Sequence, residues 1–538
     1  LHELIRQFAE MQLKREPEAV EQTQQRHQDY FITFLAARTA DVKGRRQLAT
    51  LAEIEADIDN VRLAWRRAAA KRDAAAIERA AECLFVYYLY RNGYDEGQAE
   101  FRRAVAAIAG LPDGQADDSR LLGLVTPVQK QTLVGHLLAN LGYFVAHRRN
   151  LPQGQMLLEQ ALALLQQTGS VDRCKEALAL LWLGWAFYFQ GKLTEGKRYA
   201  KASFAFFTET EDSWAGIWAL MLLGGSLRDG RPAEAVAAYQ PGLTLCRKSG
   251  DQICLSYISF NIGAAATMLG DYTRAQQHIA LGVTISQQLN NILGLGYSLL
   301  RQGQLEIAQG KYQQATQTLH QSWTHFTKVG IVHASRAQLY LGLAHHRLGD
   351  YETAARLYSQ AFDGFQAANN SLERVHCLNG LGCLAYDQDK LHRAEQYHRE
   401  SLALLHETEP EPAMVAVTLC YLGQVIVSCG EHRWAEASGL FRQALELALA
   451  HQLAPLALEI CVAVTQLLVP VGHTELAIDS LVLAEQHEAS TFETREKARQ
   501  LLVTLLARAP PEAQQVTGSQ GRQRDLWRGV QELLMTIP

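Results

Sequence analysis

The sequence predicts an all-α chain, a solenoid of helical hairpins with a repeat of about 40 residues. Three observations predict it. A turn pattern recurs at nearly constant spacing: glycine, then Tyr or Leu two residues on, then Ala five residues on. A second glycine stands seven residues before most of these turns. Ala, Leu and Gln dominate the stretches between, and only 13 prolines interrupt 538 residues, which favours helix. A chain this long exceeds one compact core, but a solenoid escapes that limit because each repeat packs on its neighbours.

In chain order, residues 1–73 read as a helical junction. It contains Leu1 to Glu10, the stretch Arg26-His-Gln-Asp-Tyr-Phe31, and a helical segment from Glu53 to Ala64. Residues 74–110 read as a degenerate repeat turning at Arg91 to Tyr94. Residues 111–127, with two prolines, two glycines and three aspartates, read as a linker.

The repeat array is placed at 128–490. Its clearest turns are Gly270 to Ala275, Gly310 to Ala315 and Gly349 to Ala354. Weaker copies start at Gly191, Gly230, Asp389, Gly430 and Gly472, giving steps of 39, 40, 40, 39, 40, 41 and 42 residues. The second marker is Gly184, Gly263, Gly303, Gly342, Gly382 and Gly423, with Gly224 one residue late. The turn glycine suits the left-handed end of a first helix. Asp271 and Asp350 suit the cap of the second. Small residues inside the helices let two backbones approach, and helical spacing of apolar residues supplies a buried stripe. A capping helix is expected at 491–509, and a polar, mobile tail with a possible short helix at 510–538.

This pattern resembles the tetratricopeptide repeat, whose Gly and later Ala mark a close helix contact. The resemblance implies a right-handed superhelix whose first helices line the inner groove. At 40 residues the unit is longer than the standard one, so each helix gains about three residues, or roughly 4.5 Å. The N-terminal stretches resemble the junction that follows the nucleotide-binding and winged-helix modules of STAND signal-transduction ATPases, which include many bacterial regulators. That resemblance implies a nucleotide-binding module in cis, with the repeats as its sensor. The chain begins without Met and is expected to be a fragment or processed product of a longer protein.

Composition and motifs narrow the function class. Lys+Arg 51 against Asp+Glu 56 gives a net charge of −5, with no basic block to track nucleic acid. The longest apolar-aromatic run, Cys83 to Tyr90, is far short of a membrane span of about 20 residues. Nine scattered cysteines without a Cys-x-x-Cys pair suit reduced thiols and a cytoplasmic location. Phosphate-loop, zinc and nucleophile motifs are absent from the sequence, so no catalytic residue, metal site or cofactor is assigned. His345 and His346 are adjacent on a helix and point about 100° apart, which disfavours chelation of one ion.

Counting from the marker glycine, positions −6, −3, +1 and +4 are expected to face the groove. They include Trp185, Tyr188, Trp218, Arg228, Tyr257, Phe260, Tyr297, Arg336, His346, His376, Asn379 and Tyr386, with His136, Tyr143, Met221, Gln304 and Leu339 on the same count. The aromatics suit either a binding surface or packing between neighbouring repeats. Arg228, Arg336 and His376 weigh most, because cations pack poorly between repeats, and they point to an anionic or polar group in the ligand. The sequence therefore reads as a sensing domain for an unknown effector, which could be a small molecule, peptide or protein. The alternatives are a free-standing adaptor for a peptide or protein, and a regulatory appendage of another enzyme. Asn140, Asn261 and Asn379 are too sparse and out of register for a peptide-gripping asparagine ladder.

Overall fold

The computed structural model describes residues 11, 17–112, 128–147, 150–169, 172–210, 212–228, 230–328, 331–407, 411–507 and 525–537. The expected winged-helix end at residues 1–10, most of the linker (113–127) and the polar tail (508–524) lie outside them. Among the described residues all regular structure is helical, and the chain is a tetratricopeptide-like α-solenoid.

The first helices are α1 (Pro17–Ala36), α2 (Thr39–Val42), α3 (Gln47–Ala56), α4 (Ile58–Ala70), α5 (Ala74–Arg91) and α6 (Tyr94–Ala109). Hairpins follow: α7 (Val128–His147) and α8 (Leu151–Gln167); α9 (Arg173–Phe189) and α10 (Leu193–Glu209); α11 (Ser213–Arg228) and α12 (Pro232–Ser249); α13 (Gln252–Leu269) and α14 (Tyr272–Gln288); α15 (Ile292–Ala308) and α16 (Tyr312–Thr327). The series continues with α17 (Ile331–Arg347) and α18 (Tyr351–Ala367); α19 (Ser371–Asp387) and α20 (Leu391–Glu407); α21 (Pro412–Ser428) and α22 (Trp434–Ala450); α23 (Ala454–Leu468) and α24 (Thr474–Gln486). The last helices are α25 (Phe492–Leu506) and α26 (Leu526–Thr536).

The punctuation does what its chemistry requires. Gly270, Gly310 and Gly349 take φ of +80°, +76° and +81° and end the first helices. Asp271 and Asp350 accept from the backbone N–H of Arg274 and Thr353 at 3.0 and 3.2 Å and start the second ones. Ala275, Ala315, Ala354 and Ala394 are fully buried where two helices meet. Two of the loops between hairpins use asparagine: Asn290 and Asn369 are left-handed, while Asn291 and Asn370 cap α15 and α19. The step lengthens after Gly430 because a 3-10 turn, Glu431–Arg433, precedes α22.

Two compact units divide the chain. Unit 1 comprises Leu1–Ala186, Tyr199–Gly216 and Leu245–Gln252; unit 2 comprises Phe187–Arg198, Ile217–Thr244 and Ile253–Pro538. Unit 1 is centred on Phe85, whose ring lies 5.1 to 6.3 Å from those of Phe101, Tyr143, Phe144 and Trp182. A buried polar node sits beside it. Asp251 accepts from Tyr90 Oη and Gln47 Nε2, both at 2.9 Å, and Trp214 Nε1 donates to Tyr90 Oη at 2.7 Å.

Unit 2 has contacts between distant parts of the chain. A Cβ at Gly191 would lie 3.5 Å from Leu372, and the Gly230 turn meets Glu411 and Pro412. The Gly270 turn meets Ala489, whose carbonyl accepts from Tyr272 Oη at 3.0 Å, and Gly310 meets Phe492. Arg347 pairs with Glu493 at 2.7 Å. Turns of early hairpins in the unit are thus tied to segments 181, 181, 219 and 182 residues later. The end of unit 2 is covered by two helices. α25 packs on α24, and α26 buries Leu526, Val530 and Leu533 against α22 to α24. Arg442 donates to the carbonyls of Leu534 and Ile537 at 2.7 and 2.8 Å, satisfying the C-terminal end of α26.

By length and composition α13 is the helix among the described residues that could cross a bilayer, with a mean hydropathy of 1.3. It is 67% buried within the protein, as befits the core helix of a hairpin.

Candidate ligand-binding site

Three adjoining cavities lie within unit 2. The first, of about 300 Å³, is lined from α11, α13, α15, α17, α19 and α21. The second, of about 610 Å³, is lined from α15, α17, α19, α21, α23 and the segment Thr491 to Thr504 around α25. Gln304, Ile307 and Leu343 line both. A smaller space of about 120 Å³ adjoins them around His346, Tyr358 and Cys383. Apart from Thr491 and Tyr358, which is on α18, every lining residue comes from the first helix of a hairpin or from α25.

The stripe that faces the first two cavities differs slightly from the expected one. The lining residues fall mainly at −6, −2, +1 and +4 or +5 from the marker glycine: Arg336, Tyr340 and Leu343 on α17, or His376 and Tyr386 on α19. At about 100° per residue, −6, −2, +1 and +5 lie within about 60° of one another, whereas −3 and +4 lie about 70–90° from the middle of that stripe. Position −3 is buried and lines none of the three cavities at Met221 and Phe260, whereas Leu339 reaches the smallest and Asn379 the first. Sequence counting therefore passed over Arg301, Tyr340 and Tyr421 at −2, which the helical period identifies.

The expected residues fall into three groups. Arg228, Arg336, His376, Asn379 and Gln304 share the first cavity, and Tyr386 lines the second. Trp218, Tyr257, Phe260 and Tyr297 form an aromatic ladder through α11, α13 and α15, with centroids 6.3, 5.7 and 5.5 Å apart, and none lines the first cavity. His346 is buried, bonded to Asp387 at 2.9 Å, while His345 engages Asp350 at 3.0 Å, so the neighbouring imidazoles serve different carboxylates. Tyr188 lies in unit 2 with its ring against Gly225; Trp185, half-buried, belongs to unit 1. His136 and Tyr143 also belong to unit 1, the former next to Asn140 at 3.3 Å and the latter in the Phe85 cluster.

Electrostatics set the character of the first cavity. Arg228, Arg301 and Arg336 line it with His376 against one carboxylate, Glu373. Glu373 is committed to Arg336, Nε to Oε1 at 2.5 Å, and Arg336 Nη1 also donates to Tyr297 Oη at 3.1 Å. Burial works against the Arg336 charge, but Glu373 and then Tyr297 outweigh it and raise its pKa. Arg301 Nη1 donates to Gln304 Oε1 at 3.0 Å and Arg228 Nη1 to Asn261 Oδ1 at 3.4 Å. Asn379 is held from behind. Its Nδ2 donates to Thr418 Oγ1 at 2.8 Å, and its Oδ1 accepts from His398 Nδ1 at 3.2 Å. His398 lies under Gly382, where any side chain would collide with the imidazole, and burial depresses its pKa to about 4. The asparagines on the first helices thus spend polar groups on the protein's own side chains.

The tetratricopeptide repeat family profile matches residues 333–407, the span of α17 to α20. No curated protein sequence matches the chain. Among solved structures, the apo form of RapI is similar at 17% identity, covering 51% of this chain and 97% of its own, with a TM-score of 0.41. A Rap protein complexed with competence and sporulation factor shares 14% identity over 72% of this chain and 98% of its own, with a TM-score of 0.48. The human IFIT1 dimer with m7Gppp-AAAA shares 14% identity over 75% and 90%, with a TM-score of 0.42. The chain thus carries a tetratricopeptide-type domain, a fold consistent with protein interaction or sensing.

Proposed function

We propose that the chain is a sensing array that takes an effector bearing an anionic group into the first cavity of unit 2. One observation carries this reading: three arginines from α11, α15 and α17 line a cavity that holds a single carboxylate, already paired. Guanidinium groups recognise carboxylate and phosphate through charge and paired N–H donors. The volume of about 300 Å³ suits a small molecule or one end of a longer ligand. Binding across helices of successive repeats gives an effector the means to favour one arrangement of the array over another.

The N-terminal resemblance supports a further part of the reading: in the cytoplasm, the array regulates a STAND-type nucleotide-binding module in cis. A reading frame without a phosphate-loop module upstream of these residues would remove that part and favour the free-standing adaptor. Catalysis has no part in the reading. For the binding claim, species retained by the purified protein are identified by mass spectrometry, alongside the double variant Arg228→Gln, Arg301→Gln. Carboxylate- or phosphate-bearing species retained by the parent and lost from the variant are expected; equal retention by both overturns the assignment.

A further inference from the structure

The second cavity differs from the first in charge. Its lining includes Asp387, Glu459 and Glu493 against Arg347 and Lys497. Most of these charges are mutually engaged. Glu493 pairs with Arg347 at 2.7 Å and Lys497 at 2.8 Å, and Asp387 bonds His346 at 2.9 Å. Glu459, on α23, is the exception: among the described residues its carboxylate forms no hydrogen bond or ion pair. Burial and then the neighbouring Glu493 raise its pKa, against a smaller opposite pull from Lys497 and Arg347, neither of which reaches it as an ion pair. The lining around it supplies neutral hydrogen-bonding groups, Tyr421, Gln424, Gln466 and Gln500.

A carboxylate held in a cavity without a direct ion-pair partner costs stability, which a cation from outside would restore. Arg347 and Lys497 are poorly placed to do so, being held by Glu493. Gln304, Ile307 and Leu343 connect this cavity with the arginine-lined one. A ligand lying along the first helices therefore meets excess positive charge near α11 to α19 and excess negative charge near α23 and α25.

We infer that Glu459 and the cavity around it form a second subsite, for an ammonium or guanidinium group, so that the effector is bipolar and lies with its anionic end among Arg228, Arg301 and Arg336. This rests on the first cavity being the anion subsite. The effector class is a linear zwitterion, either a small amino acid-like molecule or a peptide with free ends. The groove reads its direction by charge.

The test uses the whole chain with defined probes in a thermal-shift and calorimetric series. The probes are a dicarboxylate, a diamine, ω-amino carboxylates of increasing length, and linear peptides with free or blocked N-termini. Bipolar probes of one length range should bind more tightly than either single-charge probe. Glu459→Gln, nearly isosteric, should weaken the best bipolar probe about tenfold or more while leaving the dicarboxylate unchanged. Its melting temperature without probe serves as the folding control. If Glu459→Gln and the parent bind the bipolar probes equally, the cation subsite is wrong and the anion subsite stands. If Arg228→Gln, Arg301→Gln leaves dicarboxylate binding untouched, the anion reading is the one that fails. Preference among the amino carboxylates or the free-ended peptides identifies the source of the zwitterion.

Discussion

The turn glycines of unit 2 have two separable physical roles, and a pair of substitutions distinguishes them. Gly270 and Gly349 occupy equivalent places after their first helices, with φ of +80° and +81°. Alanine at either incurs left-handed strain of about 1–2 kcal/mol. The gain from restricting the unfolded chain is common to both and cancels in the comparison. Their surroundings differ. A Cβ at Gly349 meets nothing within 4 Å, whereas at Gly270 it would stand 2.6 Å from Ala489 Cα and 3.1 Å from its carbonyl oxygen. Those are backbone atoms, so no rotamer change relieves the clash, and overpacking adds about 1–3 kcal/mol. Gly270→Ala should therefore lose about 2–5 kcal/mol and Gly349→Ala about 1–2 kcal/mol, read from urea midpoints with unchanged slopes. Amide exchange at Ala489 to Phe492 should accelerate in Gly270→Ala alone. Equal losses at the two sites, or no change in exchange near Ala489, would refute the claim that distant turns hold unit 2 together.

Two further outcomes follow from buried polar groups. His136 and His398 are buried with pKa values depressed to about 4, so each is neutral when folded and charges more readily when unfolded. Their contribution is complete above an unfolded pKa of about 6.5 and fades as pH falls towards 4, by at most roughly 3 kcal/mol per group. Urea unfolding between these pH values should show that loss, and His398→Gln should remove its share of it; a flat profile in the parent protein contradicts the burial argument. In unit 1, Asp251→Ala removes the buried acceptor shared by the Tyr90 hydroxyl and the Gln47 amide and should cost about 2–3 kcal/mol. A thermal melt showing less than about 1 kcal/mol would mean the node rearranges without penalty.

The hairpins were legible because their determinants are local. Gly270, Asp271 and Ala275 fix a helix end, a cap and a contact within six residues, and the structure uses all three as that chemistry requires. The asparagine pairs at 290–291 and 369–370 carried an equal signal for the other loops, since Asn tolerates left-handed backbone and caps well, but they recur in too few repeats to stand out. The cavity was legible in part. Arg228, Arg336 and His376 meet there as register implied, while Arg301 required the 3.6-residue period rather than a spacing of three. The meeting of Gly310 with Phe492 and of Arg347 with Glu493 had no local signature, because it depends on curvature summed over several repeats.

That division between local and summed determinants separates the residues that fix the fold from those that set the character of the cavities. Residues that fix the fold, the marker glycines and the alanines opposite them, lie between paired helices and tolerate little change: a Cβ on Gly303 would run into Leu319, and one on Gly423 into Phe441. Most residues that line the cavities occupy another stripe of the same first helices, where Arg301, His376 and Glu459 differ in charge and size. Each repeat therefore offers a few positions whose exchange alters the lining of the cavities while leaving hairpin packing intact. Charge along the groove is the sum of such independent choices. It therefore leaves no trace in the repeat pattern and becomes visible only when first helices from Arg228 to Lys497 are brought around one space.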